Sequence, residues 1–300
     1  MKPNRAIKKL LSLAALGISA TVGVACSPVK TLNALVPASG YQLQADIAYG
    51  DLPRQKLDIY SPKQAVYVQP PVVLFYYGGG WEEGNKADYK FVAEAFTSKG
   101  YVVVIPDYRV YPEVKFPGVM EDPAKAAQWV KKHIAQYGGN ENKVFLAGHS
   151  AGAHLAVMMS LNPEYLAKVG ITPADFAGTI GLAGPYDFLP LKSARLKEIF
   201  GPEAQRWQSQ PIEYVSGNNA PMLLLVGLKD GTVWKHNTFN LAAKIRSKGG
   251  PVDVVEYPNY GHVDMVAKLA KPLRGNGELL KPILNFIQTH SSETPTVLAH

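Results

Sequence analysis

Short apolar runs alternate with longer amphipathic stretches over most of the chain, and that alternation predicts strands interleaved with helices. Residues 46–49 and 56–60 alternate apolar and polar side chains across a turn at 50–54, the pattern of an antiparallel edge hairpin. Residues 72–77 and 101–105 are unbroken and rich in β-branched and aromatic side chains, as expected of strands buried on both faces of a parallel sheet. Further strands are read at 143–147, 178–182, 222–227 and 252–257. Asp122 as N-cap and Pro123 at the first helical position open a helix. Ala126, Trp129, Val130 and Ile134 follow at helical spacing, and Gly138-Gly139 closes it. Residues 151–159 are Ala- and Met-rich and read as a buried helix; others are predicted at 236–248 and 278–290.

Strand alternating with helix implies a mostly parallel, doubly wound α/β sheet with an antiparallel hairpin at its start. Right-handed crossovers then bring the chemistry to loops at the strands' carboxyl ends. Residues 188–219 break the rhythm: Phe200, Trp207 and Tyr214 among many polar residues suit either a small lid on one domain of residues 41–290 or a long surface excursion that these aromatics anchor.

The N-terminus follows a different pattern. Lys2, Arg5, Lys8 and Lys9 precede an apolar stretch, residues 10–25, that Ser12, Ser19 and Thr21 interrupt. It is too short and too weakly apolar for a stable spanning helix and predicts an export signal over residues 1–25. The formal net charge of +7 falls to +3 without those four cations, and the remaining Lys and Arg are scattered. Nothing in that distribution supports a nucleic-acid partner. With 300 residues, 47% hydrophobic and 18% charged, the chain suits one sizeable globular domain. Cys26 is its only cysteine, so no intramolecular disulfide can form. The run Gly23-Val24-Ala25-Cys26 resembles a bacterial lipoprotein attachment site, although Gly23 stands where Leu or Val is usual. The expectation is an exported protein of the cell envelope held by acyl chains on Cys26, or, after ordinary cleavage, a periplasmic or secreted one. Residues 26–40 read as a polar, Pro-punctuated tether and 291–300 as a flexible polar tail.

The candidate chemistry centres on Gly148-His149-Ser150-Ala151-Gly152, set between a predicted strand and a predicted helix. Gly-x-Ser-x-Gly in that setting is a nucleophile elbow: the glycines give a strained turn room, and the helix N-terminus offers N–H groups to an oxyanion. Ser150 is the candidate nucleophile. A serine hydroxyl needs a base, and the base an orienting acid, in the order Ser, acid, His. Asp230 follows the strand at 222–227 and is the candidate acid; His262 follows the strand at 252–257 and is the candidate base. His149 and His154 are read as packing or local hydrogen-bonding residues, and Asp187 as a structural cap or lid contact. Asp264, two residues past His262, is placed to tune that loop. After the strand at 72–77, Gly78-Gly79-Gly80 lets backbone N–H groups approach a developing charge, so Gly79, Gly80 and Ala151 are the candidate oxyanion donors.

These residues together resemble the carboxylesterase branch of the α/β-hydrolases, near the hormone-sensitive-lipase-like and feruloyl-esterase-like (BD-FAE type) families. The resemblance runs from about Tyr49 to His290. It includes Gly78 to Trp81 with Gly84 and Lys86, Asp107-Tyr108-Arg109 with Pro112-Glu113 and Phe116-Pro117, Gly148 to Ala156, Gly184 to Asp187, and the Asp230 and Gly261-His262 loops. It implies the α/β-hydrolase fold and a serine carboxylic-ester hydrolase acting on short-acyl or aryl esters through an acyl-enzyme. Its partner is a small-molecule ester, and neither metal nor cofactor is implied. An arylformamidase-like amide hydrolase would use the same residues, and a non-catalytic hydrolase fold used for binding is a third reading. Tyr77 stands where the family usually carries histidine before the glycine triplet. Its hydroxyl either assists the oxyanion donors or braces a backbone group beneath the loop.

Overall fold

The computed structural model describes residues 32–291 apart from 34 and 65. The export signal, Cys26, the first part of the tether and residues 292–300 of the tail lie outside the described residues.

Eight strands form one sheet: β1 (Tyr41–Ala48), β2 (Lys56–Pro62), β3 (Val72–Tyr76), β4 (Val102–Pro106), β5 (Val144–His149), β6 (Gly178–Leu182), β7 (Met222–Gly227) and β8 (Val252–Tyr257), in the order β1-β2-β4-β3-β5-β6-β7-β8. β1 pairs antiparallel with β2, and β2 with β4; every other pairing is parallel. The predicted antiparallel hairpin is thus β1 and β2 at one end of the sheet, with β1 outermost and β2 joined inward to β4. β1 also starts earlier than its alternation suggests, because the register shifts between Gln44 and Ile47 and breaks the period of two. Asp46, in that shift at φ 58°, accepts a bond from the buried Lys86 ammonium, which also bridges to Asp58. β3, β4, β5, β6 and β7 are buried at every position, which is why polar side chains are rare in them.

The longer helices are α1 (Lys90–Thr97), α2 (Glu121–His133), α3 (Ala151–Leu161), α4 (Ala194–Phe200), α5 (His236–Ser247) and α6 (Leu280–Ser291). α3 is buried at every position, which accounts for a composition with no polar face. α2 begins one residue before its predicted cap. Asp122 does not cap it: its carboxylate accepts from Gln55 Nε2 and from the Arg109 backbone N–H, Nε and Nη2. A buried carboxylate offered an arginine and an amide gains more from those charged bonds than from one orphan helix N–H. Gly138, at φ 80°, ends the short turn after α2.

Residues 188–219 contain α4 and two 3-10 turns, Glu203–Ser209 and Pro211–Tyr214. Among the described residues no helix is long and apolar enough to cross a membrane.

Candidate active site

The carboxyl ends of β3, β5, β7 and β8 lead into the Gly78–Gly80 loop, Ser150, Asp230 and His262 respectively. Ser150 sits between β5 and α3 at φ 57° and ψ −124°, a conformation that L residues rarely hold without support. That support comes from close backbone packing. A Cβ on Gly148 would stand 2.4 Å from the Gly152 carbonyl, and one on Gly152 would stand 2.0 Å from the Tyr76 oxygen. Both glycines are therefore required by contact, and the elbow is pinned by the Ser150 N–H bond to the Leu182 carbonyl at 2.9 Å.

The Ser150 Oγ lies 2.9 Å from Nε2 of His262, and Nδ1 of His262 lies 2.8 Å from Oδ2 of Asp230. A carboxylate only accepts, so Nδ1 carries the proton and Nε2 presents its lone pair to the Ser150 hydroxyl. The other Asp230 oxygen accepts from the N–H groups of Thr232 and Val233, each at 2.8 Å. Burial alone would raise the carboxyl's pKa; the bond to His262, its charge and the two amides outweigh that and hold it below its ordinary value. The two loops are laced together by main-chain bonds from Leu228 N–H to Tyr257 O and from Lys229 N–H to Tyr260 O. Asp264 acts within its own loop, accepting the Gly261 N–H at 2.9 Å.

The glycine loop abuts this centre: a Cβ on Gly78 would lie 3.1 Å from the Ser150 Cβ. Gly79 and Gly80 both have positive φ, 131° and 59°, and the Gly79 carbonyl closes the turn by accepting from the N–H groups of Glu82 and Glu83. Ala151, first residue of α3, has no intrahelical partner for its N–H. Tyr77 is fully buried, its ring stacked between Tyr89 and Tyr108. Its hydroxyl donates to Asp107 Oδ1 at 2.8 Å and accepts from Arg54 Nη2 at 2.9 Å, so it braces the loop from behind. Arg54 also donates to the Tyr108 and Gly84 carbonyls. Nothing local in the sequence singles Arg54 out, because its partners are 23 to 54 positions away.

Two further histidines surround Ser150. His154 donates from Nε2 to the Ser209 carbonyl at 2.7 Å and accepts at Nδ1 from the Trp81 indole N–H at 3.3 Å. Phe188 and Phe200 pack edge-on against the same ring, joining the glycine loop, α3 and residues 188–219. Burial lowers its pKa to about 4, partly opposed by the bond to Ser209, and keeps it neutral. His149, read from sequence as a packing or local hydrogen-bonding residue, directs Nε2 to a distant group, the His262 main-chain carbonyl, at 3.1 Å. Asp187 stays away from His262: its side chain accepts from Asn240 and its carbonyl from His236 Nε2. Among the described residues no cluster of three His, Cys, Asp or Glu is placed to hold a metal ion.

Known proteins share this arrangement's sequence and fold to differing extents. The chain is 27% identical over 270 residues to a probable isoprenylcysteine alpha-carbonyl methylesterase of Arabidopsis thaliana, covering 82% of this chain and 56% of that one. It therefore spans little more than half of that relative's length. It is 26% identical to a kynurenine formamidase of Salmo salar, covering 76% of this chain and 77% of that one. Among solved structures, esterase B from Lactobacillus rhamnosis, in complex with a tributyrin phosphonate, superposes with a TM-score of 0.77 at 20% identity, covering 95% of each chain. The shared architecture is the α/β-hydrolase fold. The BD-FAE family model matches residues 57–245, from β2 through most of α5 and across Ser150, Asp230 and the glycine loop, and the chain belongs to the BD-FAE family.

Proposed function

We propose that the protein is a serine carboxylic-ester hydrolase for short-acyl or aryl esters. Ser150 Oγ attacks the ester carbonyl as His262 Nε2 takes its proton. The carbonyl oxygen becomes an oxyanion held by the N–H groups of Gly79, Gly80 and Ala151. Collapse expels the alcohol, which takes the proton from His262, and leaves an acyl group on Ser150. Water, deprotonated by the same Nε2, then releases the acid and restores the serine. Asp230 keeps the imidazole in the required tautomer and offsets its transient charge.

The observation that carries this reading is the continuous line from Ser150 Oγ through His262 to Asp230, at 2.9 and 2.8 Å. The esterase names among the relatives support the substrate class. Residues 188–219 serve as its lid; Trp81, Phe188 and Phe200, interlocked around His154 one turn along α3 from Ser150, favour small acyl groups. Aryl acetate should give a burst of one phenol per enzyme, and turnover should fall steeply once the acyl chain passes roughly medium length, as a small pocket cannot bury more methylenes. Ser150→Ala should abolish both burst and turnover. A folded Ser150→Ala variant with near-wild-type turnover would sink the mechanism.

The salmon formamidase relative gives a second reading, hydrolysis of an aryl formamide by the same three side chains. A formamide with higher kcat/KM than every ester tried would favour it. We also propose export, with Cys26 as the site of lipid attachment, on the signal-like N-terminus. Cys26→Ser should then move the protein from the membrane to the soluble fraction, whereas soluble wild-type protein would exclude an anchor.

A further inference from the structure

His149 is a buried titratable group that the ester mechanism does not use, and its surroundings give it a task. It is the last residue of β5 and immediately precedes Ser150. Its Nε2 faces the His262 carbonyl oxygen at 3.1 Å, and the two imidazole rings lie 4.8 Å apart, tilted by 39°. A carbonyl can only accept, so Nε2 carries the hydrogen and Nδ1 of the neutral ring is bare. Nδ1 is buried and has no partner among the described residues. It lies against the glycine loop, since a Cβ on Gly78 would come within 3.2 Å of it. Protonation would bury an unpaired N–H there. Burial first, and the neighbouring His262 second, hold the pKa at about 3, against the opposing influence of the His262 carbonyl and Asp230. The ring is therefore an uncharged donor at neutral pH, wedged between the glycine loop and His262.

The His262 backbone is consequently gripped from two sides. Asp264 Oδ2 holds the N–H of the preceding Gly261 at 2.9 Å, and His149 holds the carbonyl of His262 itself. Asp230 fixes the ring through Nδ1 but cannot alone fix where the Cα of His262 sits.

We infer that His149 is a positioning residue for His262: its Nε2–H tethers the His262 carbonyl while its ring packs on the imidazole, keeping His262 Nε2 on the Ser150 hydroxyl. The inference rests on the assignment of Ser150, Asp230 and His262 under Proposed function. A displacement of about 1 Å at a reacting group can cost 100-fold in rate, so a lost tether is read in kcat.

Three variants separate tether from packing. His149→Phe keeps a ring and removes the N–H; His149→Gln places an amide N–H near the Nε2 position without a ring; His149→Met fills the space with neither and replaces the Phe variant should that one not fold. Each is assayed with p-nitrophenyl acetate for kcat and KM, and by its rate of inactivation by a p-nitrophenyl phosphonate. The expected result is a kcat lowered roughly 10–100-fold in His149→Phe with KM within about twofold, a parallel fall in phosphonylation rate, and recovery of most of the loss in His149→Gln. A kcat for His149→Phe or His149→Met within about twofold of wild type overturns the inference. So does a His149→Gln variant no better than His149→Phe. A wild-type protein that neither hydrolyses the ester nor takes up the phosphonate overturns the esterase reading instead, a result visible before any variant is made.

Discussion

Two loops flank Ser150, and they are held in place by different means. The glycine loop rests on side chains: Tyr77 reaches Asp107 and Arg54, the Lys86 N–H reaches Asp107, and Trp81 is bound through His154 to Ser209. The His262 loop is held through its main chain: amide to carbonyl against the Asp230 loop, Gly261 N–H on Asp264, and the His262 carbonyl on His149. A loop that only presents N–H groups tolerates a rigid polar foundation beneath it. Under the proposed mechanism, a loop whose side chain shuttles a proton needs its backbone fixed so that its imidazole meets Ser150. Damage on the first side should therefore appear as lost stability, and damage on the second as lost rate.

Tyr77→Phe tests the first half of that contrast. It keeps the stacked ring and leaves Asp107 and Arg54 without the hydroxyl between them. The expected cost is about 2 kcal/mol in unfolding free energy, with kcat changed by less than about threefold. Chemical denaturation and steady-state kinetics on one preparation measure both. A kcat lower by about 10²–10³ at unchanged stability would make Tyr77 an oxyanion donor and erase the difference between the loops.

A further test concerns pH. His149 and His154 are buried neutral, with folded pKa values of about 3 and about 4 against an ordinary 6.5. Between 6.5 and 4 the unfolded chain binds protons that the folded chain does not, so stability falls as pH falls through that window. Each histidine contributes at most about 1.4 kcal/mol per pH unit. Tm should decline from pH 7 to pH 4, and His154→Gln should flatten the decline while lowering Tm at pH 7, where Trp81 loses its acceptor. An unaltered slope in His154→Gln would mean that the histidine titrates normally in the folded protein.

The sequence was most legible where a residue's role is set by its neighbours along the chain. The strand at 222–227, a continuous apolar run, and the strand at 252–257, a β-branched run that carries Asp253 and Glu256, both appear with their predicted bounds. Ser150, Asp230 and His262 are legible as candidates because each follows a readable strand, and the sheet brings the carboxyl ends of those strands to one side. Legibility failed where long-range partners decide. Asp122 looks like a helix cap locally, but Arg109 and Gln55 claim its carboxylate. The shift in β1 is concealed because Asp46 turns toward Lys86, 40 positions away. His149 sits inside the elbow motif itself, yet its partner carbonyl is 113 positions downstream, and no local periodicity encodes that contact.

Covalent labelling reports whether Ser150 is a nucleophile activated by His262. A p-nitrophenyl phosphonate should release one nitrophenol per protein and, on peptide mass spectrometry, add its phosphonyl group to Ser150 alone. Labelling should disappear in Ser150→Ala and slow by about 10³-fold or more in His262→Ala, where no base remains to take the hydroxyl proton. Stoichiometric labelling at another residue, or labelling of Ser150 at the same rate in His262→Ala, would rule out that activation.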